Sequence, residues 1–372
     1  MAKAEDMYNG LLIVDKPGRT REEHETSFTE HDFPTSHDVV QRVRRWSKQR
    51  RIGHTGTLDP LASGILVLCL GPSTRLVEYY QGHPKTYYAE IVLGKATDTY
   101  DAFGEVTKVA AIPPLSIEQI DQTLAQFRGT IQQKPPIFSA LKQAGESLHR
   151  KARRGETIEV PLRTVTFHSL ELIDFQPPDR IILRTACSAG TYIRSLAYDL
   201  GEALGSAAHL DILRRESAGP FSLDDALTMD AIEHAAANDA LPQFLRPPGD
   251  RLDLPEIQLT HELVTRFGYG QKVVLELPDS WMQNSSFLAA LDAQTEREKS
   301  DAELGNQQSD STSEPAMNKP IIAKGIDESD TFVGILRCIG YAKPNNRAEN
   351  DTASEETLPP DTVWKADKWF AG

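Results

Sequence analysis

Two side chains capable of proton or nucleophilic chemistry, His54 and Asp59, lie five residues apart in the stretch RIGHTGTLDPLASG, residues 51–64. Three glycines and a proline share this stretch, and glycine at such density indicates backbone that turns tightly or closely approaches another group. An apolar run over residues 65–70 follows and predicts a buried strand. We therefore expect a loop that holds a carboxylate and an imidazole against a sheet, which is a common setting for chemistry.

The same residues give little support to other enzyme classes. A lone Asp-Pro pair usually caps a helix or begins a turn, because its carboxylate binds nearby backbone amides. His54 and Asp59 could be two metal ligands, but no third ligand follows at a recognisable spacing. Gly94 and Lys95 lack the partners of a phosphate-binding loop, and Ser63 lies in no GxSxG elbow. The sequence predicts neither a metal nor a cofactor.

The whole string GHTGTLDPLASGILVL, which begins at Gly53, resembles the catalytic motif of the tRNA pseudouridine synthases that act on uridine 55 of the T loop, the TruB family. A match over so many ordered positions is far more specific than an Asp-Pro pair. The resemblance implies that Asp59 is the essential catalytic aspartate. It also implies that His54 inserts into the T loop and fills the space left by the extruded base.

Three further motifs resemble this family in the same order along the chain. The motif KTY ends at Tyr87, which the resemblance implies stacks on the target base, and its phenol is a candidate general base. The motif SAGTYIR ends at Arg194, which is implied to pair with Asp59, and it contains Tyr192, which is implied to line the same pocket. The motif LRR begins at Leu213, whose side chain is implied to pack on the bound base.

A fourth motif, Lys-Pro at the end of the first apolar run, also resembles the family. It implies that Lys16 packs beneath the active site, and we count this lysine among the substrate-binding residues.

Basic residues precede the catalytic motif and recur in the middle of the chain. Thr35 or Ser36 can cap a helix over residues 37–49, and arginines crowd this helix and its exit. Residues 134–160 resemble the family's RNA-gripping insertion, although Phe138 stands where a tyrosine is usual and His149 replaces another aromatic residue. Because cationic side chains bind phosphates, we expect RNA backbone contacts from Arg42, Arg45, Arg51, Arg153 and Arg154.

We expect two domains that position these residues. The resemblance implies a catalytic domain over residues 1–246, of the α/β class and α+β type, with the mixed, largely antiparallel sheet and flanking helices of the pseudouridine synthase fold. Residues 19–34 form an inserted loop in it. Residues 250–372 resemble a small PUA-type RNA-binding β domain. Polar composition predicts that segments 293–330 and 342–357 interrupt this domain as disordered chain.

Charge and composition limit which partners and which cellular compartment we expect for the protein. The net charge of −14 arises in the second half, because residues 1–200 contain 25 Lys and Arg against 24 Asp and Glu. The local electrostatic potential, rather than the net charge, steers a polyanion toward a protein. The net negative charge therefore does not exclude an RNA substrate. The three cysteines form no CxxC pair, and no signal pattern or apolar span occurs. We expect a cytoplasmic monomer that binds the T-stem loop of tRNA and no membrane.

The leading hypothesis is an isomerase that converts uridine 55 of tRNA to pseudouridine by flipping the base, breaking its glycosidic bond and rejoining it through C5. Asp59 could attack C1′, add to C6 or remove a sugar proton, and the residues do not distinguish these mechanisms. Two other functions stay open: a tRNA-binding folding chaperone that needs no catalysis, and a pseudouridine synthase for another RNA within a guided ribonucleoprotein.

Overall fold

The computed structural model describes residues 8–21, 29–138, 142–143, 146–147, 154, 160–275, 281, 321–341 and 362–370. The chain divides into two compact units, Met1–Asp250 and Arg251–Gly372. No helix in the described ranges is both long and apolar enough to cross a bilayer.

The first unit is built on a ten-stranded sheet. Its helices are α1 (Ser36–Ser47), α2 (Val77–Gln81), α3 (Ile117–Leu124), α4 (Ile193–Ala203) and α5 (Met229–Ala237), with 3-10 turns at Glu30–Asp32, Gly71–Leu76, Ala125–Phe127, Leu223–Asp225 and Leu241–Phe244. Its strands are β1 (Gly10–Lys16), β2 (Ile52–His54), β3 (Ser63–Leu70), β4 (Lys85–Leu93), β5 (Lys95–Thr97), β6 (Val106–Val109), β7 (Gly129–Gln133), β8 (Lys142–Gln143), β9 (Glu146–Ser147), β10 (Arg163–Gln176), β11 (Arg180–Cys187), β12 (Ala208–Ala218), β13 (Phe221–Ser222) and β14 (Leu227–Thr228).

The strand order is β14-β1-β3-β12-β4-β11-β10-β7, with β13 beside β12 and β2 beside β3. Two pairs, β1 with β14 and β3 with β12, are parallel, and the other pairs of this sheet are antiparallel. The predicted fold class, a mixed and largely antiparallel sheet with flanking helices, is therefore confirmed.

Local sequence explains the elements that carry the site. Strand β3 is buried along its whole length, as its unbroken apolar run predicts. Helix α1 begins after Thr35, whose hydroxyl accepts a hydrogen bond from the Asp38 backbone amide at 3.1 Å, and it ends before Lys48, which adopts a left-handed conformation. The predicted helix and its cap are confirmed, and the helix ends two residues earlier than expected.

The main apolar core lies on one face of the sheet. Alternate residues of β4, including Tyr87, Ala89 and Ile91, belong to this core together with Leu196 and Leu200 of α4. Strand residues alternate between faces, so the neighbours of these β4 residues point to the opposite face.

That opposite face contains a buried ion network. Glu90 and Asp211 are each about 2% exposed. Arg180 bridges their carboxylates with N–O distances of 2.7 and 2.8 Å. Arg19 reaches Asp211 at 3.2 Å, and Arg21 reaches Glu90 at 2.7 Å. The beginning of the predicted inserted loop 19–34 is therefore anchored on the sheet.

The end of this loop is also anchored. Phe33 is buried and stacks on Phe103, with 5.7 Å between ring centroids. Residues 22–28, between the two anchors, lie outside the described residues. The described ends of the loop are thus packed parts of the first unit.

The second unit contains a five-stranded sheet in the order β15-β17-β18-β19-β16 and one described helix, α6 (His261–Gly268). Its strands are β15 (Glu256–Leu259), β16 (Val273–Leu275), β17 (Ile322–Asp327), β18 (Phe332–Tyr341) and β19 (Thr362–Trp369). Trp364, Leu336 and Phe267 are buried in its core. The predicted small C-terminal β domain is confirmed as a β sheet.

The predicted disordered segment 293–330 extends too far. Residues 322–327 form β17, which pairs with β15 on one side and β18 on the other. Residues 293–320 and the segment 342–357 lie outside the described residues.

Candidate active site

The loop that carries Asp59, residues 55–62, is fixed through its backbone. Every carbonyl from Gly56 to Ala62 accepts a hydrogen bond. The donors are the side chains of Lys16, Ser36 and Arg215 and the backbone amides of Arg19 and Ala62. A loop whose carbonyls are all hydrogen-bonded in this way has little freedom to rearrange, which restricts the position of Asp59.

Lys16 binds this loop from below. Its ammonium is fully buried and donates three hydrogen bonds of 2.7 to 3.0 Å, to the carbonyls of Pro17, Pro60 and Ala62. Burial lowers the pKa of Lys16 to about 7, and the nearby Asp59 carboxylate opposes that shift. Lys16 does not line the cleft described next. Its assignment to the substrate-binding residues is therefore corrected: Lys16 positions the loop.

A cleft of about 370 Å³ opens above this loop. The residues that line it include Asp59, Tyr87, Tyr192, Arg194 and Leu213. These five residues come from four separate sequence motifs, and the fold brings them together in one cleft. Tyr192 immediately precedes α4, and its backbone amide and carbonyl bind the side-chain amide of Gln133 at 2.9 and 3.0 Å.

Asp59 and Arg194 form an ion pair at the floor of the cleft. Arg194 Nη2 donates to Asp59 Oδ1 at 3.0 Å, and Arg194 Nε lies 2.9 Å from Asp59 Oδ2. The Arg194 side chain is 6% exposed and that of Asp59 is 33% exposed. The carboxylate therefore faces the cleft, whereas its arginine partner is buried. Arg194 also donates to the carbonyls of Thr99 and Phe138, at 3.0 and 3.1 Å, which fixes its direction.

A second carboxylate, Asp101, lies behind Arg194. Its Oδ2 atom is 3.6 Å from Arg194 Nη1, and its Oδ1 atom accepts hydrogen bonds from the Thr99 hydroxyl and the Phe103 amide. Burial raises the pKa of Asp101, and the guanidinium of Arg194 acts in the opposite direction. Sequence reasoning missed this residue, although the motif TDTYDAFG that contains it was available as a signal.

Tyr87 and Arg215 are cross-strand neighbours on β4 and β12, and both line the cleft. Burial raises the pKa of the Tyr87 phenol, whereas the positive charge of Arg215 acts in the opposite direction. Arg215 is 2% exposed and belongs to the LRR motif, yet sequence reasoning did not place it in the site. A buried position in a strand gave no signal that this arginine binds the Asp59 loop.

His54 ends β2 and is half-buried beside the loop, outside the residues that line the cleft. Its Nδ1 atom is buried without a hydrogen-bond partner. Burial lowers the pKa of His54, and the positive charges of Arg215 and His37 act in the same direction. These surroundings favour a neutral imidazole.

The predicted phosphate-binding arginines are solvent-accessible where they are described. Arg42, Arg45 and Arg51 are exposed on α1 and at its exit, and Arg51 Nε donates to the Thr74 hydroxyl at 2.9 Å. Arg154 is exposed, and Arg153 lies outside the described residues. The exposed Arg163 at the start of β10 also lines the cleft, and sequence reasoning missed it. Within the described ranges, no cluster of three or more His, Cys, Asp or Glu residues could hold a metal ion.

Solved structures share this fold. A structure described as "Structure of H/ACA RNP bound to a substrate RNA containing 2'-deoxyuridine" matches with a TM-score of 0.61 and 20% identity, over 98% of this chain and 85% of that chain. One described as "Crystal structure of the archaeal box H/ACA sRNP Nop10-Cbf5 complex" matches with a TM-score of 0.60 and 20% identity, over 98% and 87%. The chain therefore shares its fold with these two solved structures.

Sequence comparison identifies the class and the family of this chain. Residues 44–193 match the model described as TruB family pseudouridylate synthase (N terminal domain), and residues 194–251 match the tRNA pseudouridylate synthase B C-terminal domain. The chain belongs to the TruB family. A relative named tRNA pseudouridine synthase B, from Xanthomonas campestris pv. campestris (strain B100), is 43% identical over 267 residues, 71% of this chain and 82% of the relative. A relative of the same name from Bacillus licheniformis is 39% identical over 286 residues, which are 75% of this chain and 87% of that relative.

Proposed function

We propose that this chain converts uridine 55 in the T loop of tRNA to pseudouridine. The observation that carries the proposal is the ion pair of Asp59 and Arg194 at the floor of the cleft that Tyr87 also lines. Membership of the TruB family and relatives named tRNA pseudouridine synthase B support tRNA as the substrate.

The reaction is an isomerisation. The bond from N1 of uracil to C1′ breaks, the base turns, and C5 joins C1′. C5 loses its proton and N1 gains one, so atoms and electrons balance without an oxidant or a reductant. A base inside a folded RNA loop must first be extruded, which requires a pocket for the base and a group that occupies its former place.

The residues of the cleft fit these tasks. Asp59 acts at the sugar or the base, by attack on C1′, addition to C6 or removal of a sugar proton, and each mechanism uses its carboxylate. Arg194 supplies the counter-charge from a buried position. Tyr87 and Leu213 offer an aromatic and an apolar surface to the flipped base, and Tyr192 lines the same space.

His54 and the surface arginines fit the recognition of folded RNA. His54 lies beside the cleft in surroundings that favour the neutral ring, which suits stacking in the space that the extruded uridine leaves. Arg42 and Arg45 on α1, together with Arg51 and Arg154, present positive charge that suits the phosphates of the T stem.

The test uses purified protein and an unmodified tRNA transcript. Carbodiimide labelling and primer extension map pseudouridine, with Asp59→Asn as the inactive variant and Asp230→Asn, an exposed residue of α5, as a matched control. We expect a new stop at uridine 55 with the wild type and the control only. Tight tRNA binding without product would favour the folding chaperone, and product on another RNA, or only with a guide RNA, would replace the proposed substrate.

A further inference from the structure

The buried ion network engages every oxygen of its two carboxylates. Glu90 Oε1 accepts a hydrogen bond from Arg21 at 2.7 Å, and its Oε2 accepts one from Arg180 at 2.7 Å. Asp211 Oδ1 accepts from Arg19 at 3.2 Å, and its Oδ2 accepts from Arg180 at 2.8 Å. Arg180 therefore joins the two carboxylates, and each of them also binds one arginine from the start of the inserted loop.

Arg19 also binds the Asp59 loop, whereas Arg21 has no such contact among the described residues. The Arg19 amide donates to the carbonyl of Leu61 at 2.9 Å, two residues after Asp59. Gly18, the residue before Arg19, lies so close to this loop that a Cβ there would be 2.6 Å from the Leu61 carbonyl oxygen. Arg19 thus holds the Asp59 loop with its amide and a buried carboxylate with its guanidinium.

The carboxylate that Arg19 binds lies on the strand that supports Arg194. Asp211 lies at a bulge in the pairing of β12 with β4, and bulges re-aim side chains near active sites. Leu210, the residue before it, donates its amide to the carbonyl of Tyr100 at 3.0 Å. The neighbouring carbonyl of Thr99 accepts a hydrogen bond from Arg194 at 3.0 Å. This part of β12 therefore supports the arginine of the catalytic ion pair.

These contacts form a closed ring around the ion pair. The ring passes, in order, through Asp59, Arg19, Asp211, Thr99 and Arg194. Between Arg19 and Asp211 the contact joins two side chains, so a substitution can remove it while the backbone contacts on either side remain. Without it, the backbone that carries Asp59 and the backbone that supports Arg194 are free to shift relative to each other.

We propose that Arg19 is a positioning residue, which keeps Asp59 and Arg194 aligned by tying together the two backbones that hold them. The effect on turnover rests on the proposed function. Arg19 does not line the cleft, so it acts through Asp59 rather than on the substrate. A misplacement of reacting groups by about 1 Å can lower a rate about a hundredfold. The start of the inserted loop therefore serves the reaction.

A purely stabilising role for Arg19 would give a different pattern. If Arg19 only compensated the charge of Asp211, Arg19 and Arg21 would be equivalent, and any loss of rate would follow a loss of stability. If Arg19 positions the ion pair, the rate falls even where stability is restored. Arg21→Met is the matched control, because Arg21 compensates Glu90 in the same network and from the same loop.

The first experiment needs no RNA and follows amide hydrogen exchange in the free protein by mass spectrometry. Three amides of residues 55–62 donate hydrogen bonds, namely those of Thr55, Leu58 and Ala62. Exchange in this peptide therefore reports opening of the Asp59 loop. We expect Arg19→Met to exchange about tenfold faster there, the lower end for loss of a hydrogen bond to a charged group, and Arg21→Met to exchange as wild type does. Unchanged exchange in Arg19→Met would overturn the proposal.

The second experiment measures single-turnover rates of pseudouridine formation and the affinity for tRNA. We expect Arg19→Met to be about tenfold to hundredfold slower at saturating tRNA, with unchanged affinity, and Arg21→Met to keep the rate of wild type. Arg19→Lys retains a cation that can reach Asp211 and should recover part of the rate. Equal slowing in Arg19→Met and Arg21→Met, or an unchanged rate in Arg19→Met, would overturn the positioning role.

A double variant covers the case in which Arg19→Met fails to fold. Combining it with Asp211→Asn removes the uncompensated charge, and the amide oxygen can still accept a hydrogen bond from Arg180. We expect stability toward urea to recover while the rate stays low, and recovery of both would overturn the proposal. Absence of product with wild type would instead refute the proposed function, and hydrogen exchange would still decide the role of Arg19.

Discussion

Replacement of Arg194 by alanine should cost both stability and turnover, for separable reasons. The side chain is 6% exposed and lies between Asp59 and Asp101, whose side chains are 33% and 10% exposed. Without Arg194, water can solvate the partly exposed carboxylate of Asp59, but it cannot solvate the buried carboxylate of Asp101. Removing one partner of a buried pair costs about 3–5 kcal/mol, and we assign most of that loss to Asp101. Urea unfolding at pH 7 measures the free energy of unfolding.

Two variants test this assignment. Arg184→Ala removes an ion pair with Glu216 whose side chains are 49% and 26% exposed, and such pairs contribute about 0–1 kcal/mol. The double variant Arg194→Ala with Asp101→Asn removes the uncompensated charge while an amide oxygen can still accept the hydrogen bonds of Thr99 and Phe103. We expect it to regain about 2 kcal/mol of the free energy of unfolding relative to Arg194→Ala.

The loss in Arg194→Ala should also depend on pH. Burial raises the pKa of Asp101, and Arg194 opposes this, so its removal raises that pKa further. A carboxyl whose folded pKa is raised favours the folded state below its unfolded pKa, near 4, and that stability is lost as pH rises through the folded pKa. The difference between wild type and Arg194→Ala should therefore be smaller at pH 5 than at pH 7.

Activity measurements distinguish the effect of Arg194 on Asp59 from its effect on Asp101. Arg194→Ala should lose turnover far more than tRNA affinity, because Arg194 serves the charge of Asp59 rather than the RNA. The double variant should regain stability but remain inactive, since Asp59 still lacks its partner. Equal destabilisation at both pH values, or no recovery in the double variant, would refute the reasoning about Asp101, and equal losses of affinity and rate would refute the role given to Arg194.

Three further substitutions or deletions have clear expectations. Gly64→Ala should destabilise by several kcal/mol, because φ is +100° and the new Cβ would clash with a carbonyl, whereas Gly82→Ala, in open space, should change thermal unfolding little. Lys16→Met leaves three carbonyls without a donor and should lower the urea midpoint at pH 7. Since burial lowers the pKa of Lys16, wild-type stability should rise from pH 7 toward 10, and this rise should weaken in the variant. Deleting residues 293–330 removes β17 and should unfold the second unit, which loss of its tryptophan fluorescence signal would report.

Motifs predicted the residues that meet in the cleft because each motif carries several residue types in order. Asp59 and Arg194 lie 135 positions apart, and only the family resemblance predicted that they pair. Leu213 and Tyr192 were found in the same way. Arg215 was quoted within the LRR motif yet received no role in the site, and Asp101 was missed, because nothing in their local sequence reports which distant group they bind.

Burial of charge was the main feature that periodicity could not predict. The segment around β4 alternates polar and apolar residues, which predicts a strand exposed on one face, yet Glu90 on that face is about 2% exposed. Its arginine partners lie in the inserted loop and on β11, far away in sequence. Similarly, β17 follows a long polar segment. The average composition of residues 293–330 is polar, so it did not predict the short strand at the end of that range.

The hydrogen bonds to every carbonyl from Gly56 to Ala62 in the Asp59 loop have a consequence for the substrate. Donors from Lys16, Arg19, Ser36 and Arg215 come from both ends of the first unit's sequence, so the loop cannot move without breaking several buried hydrogen bonds together. Adaptation between the partners must then come from the nucleic acid. Selection among RNAs becomes a matter of how readily each RNA loop deforms to fit a rigid surface, and discrimination can arise at nucleotides that the protein never touches.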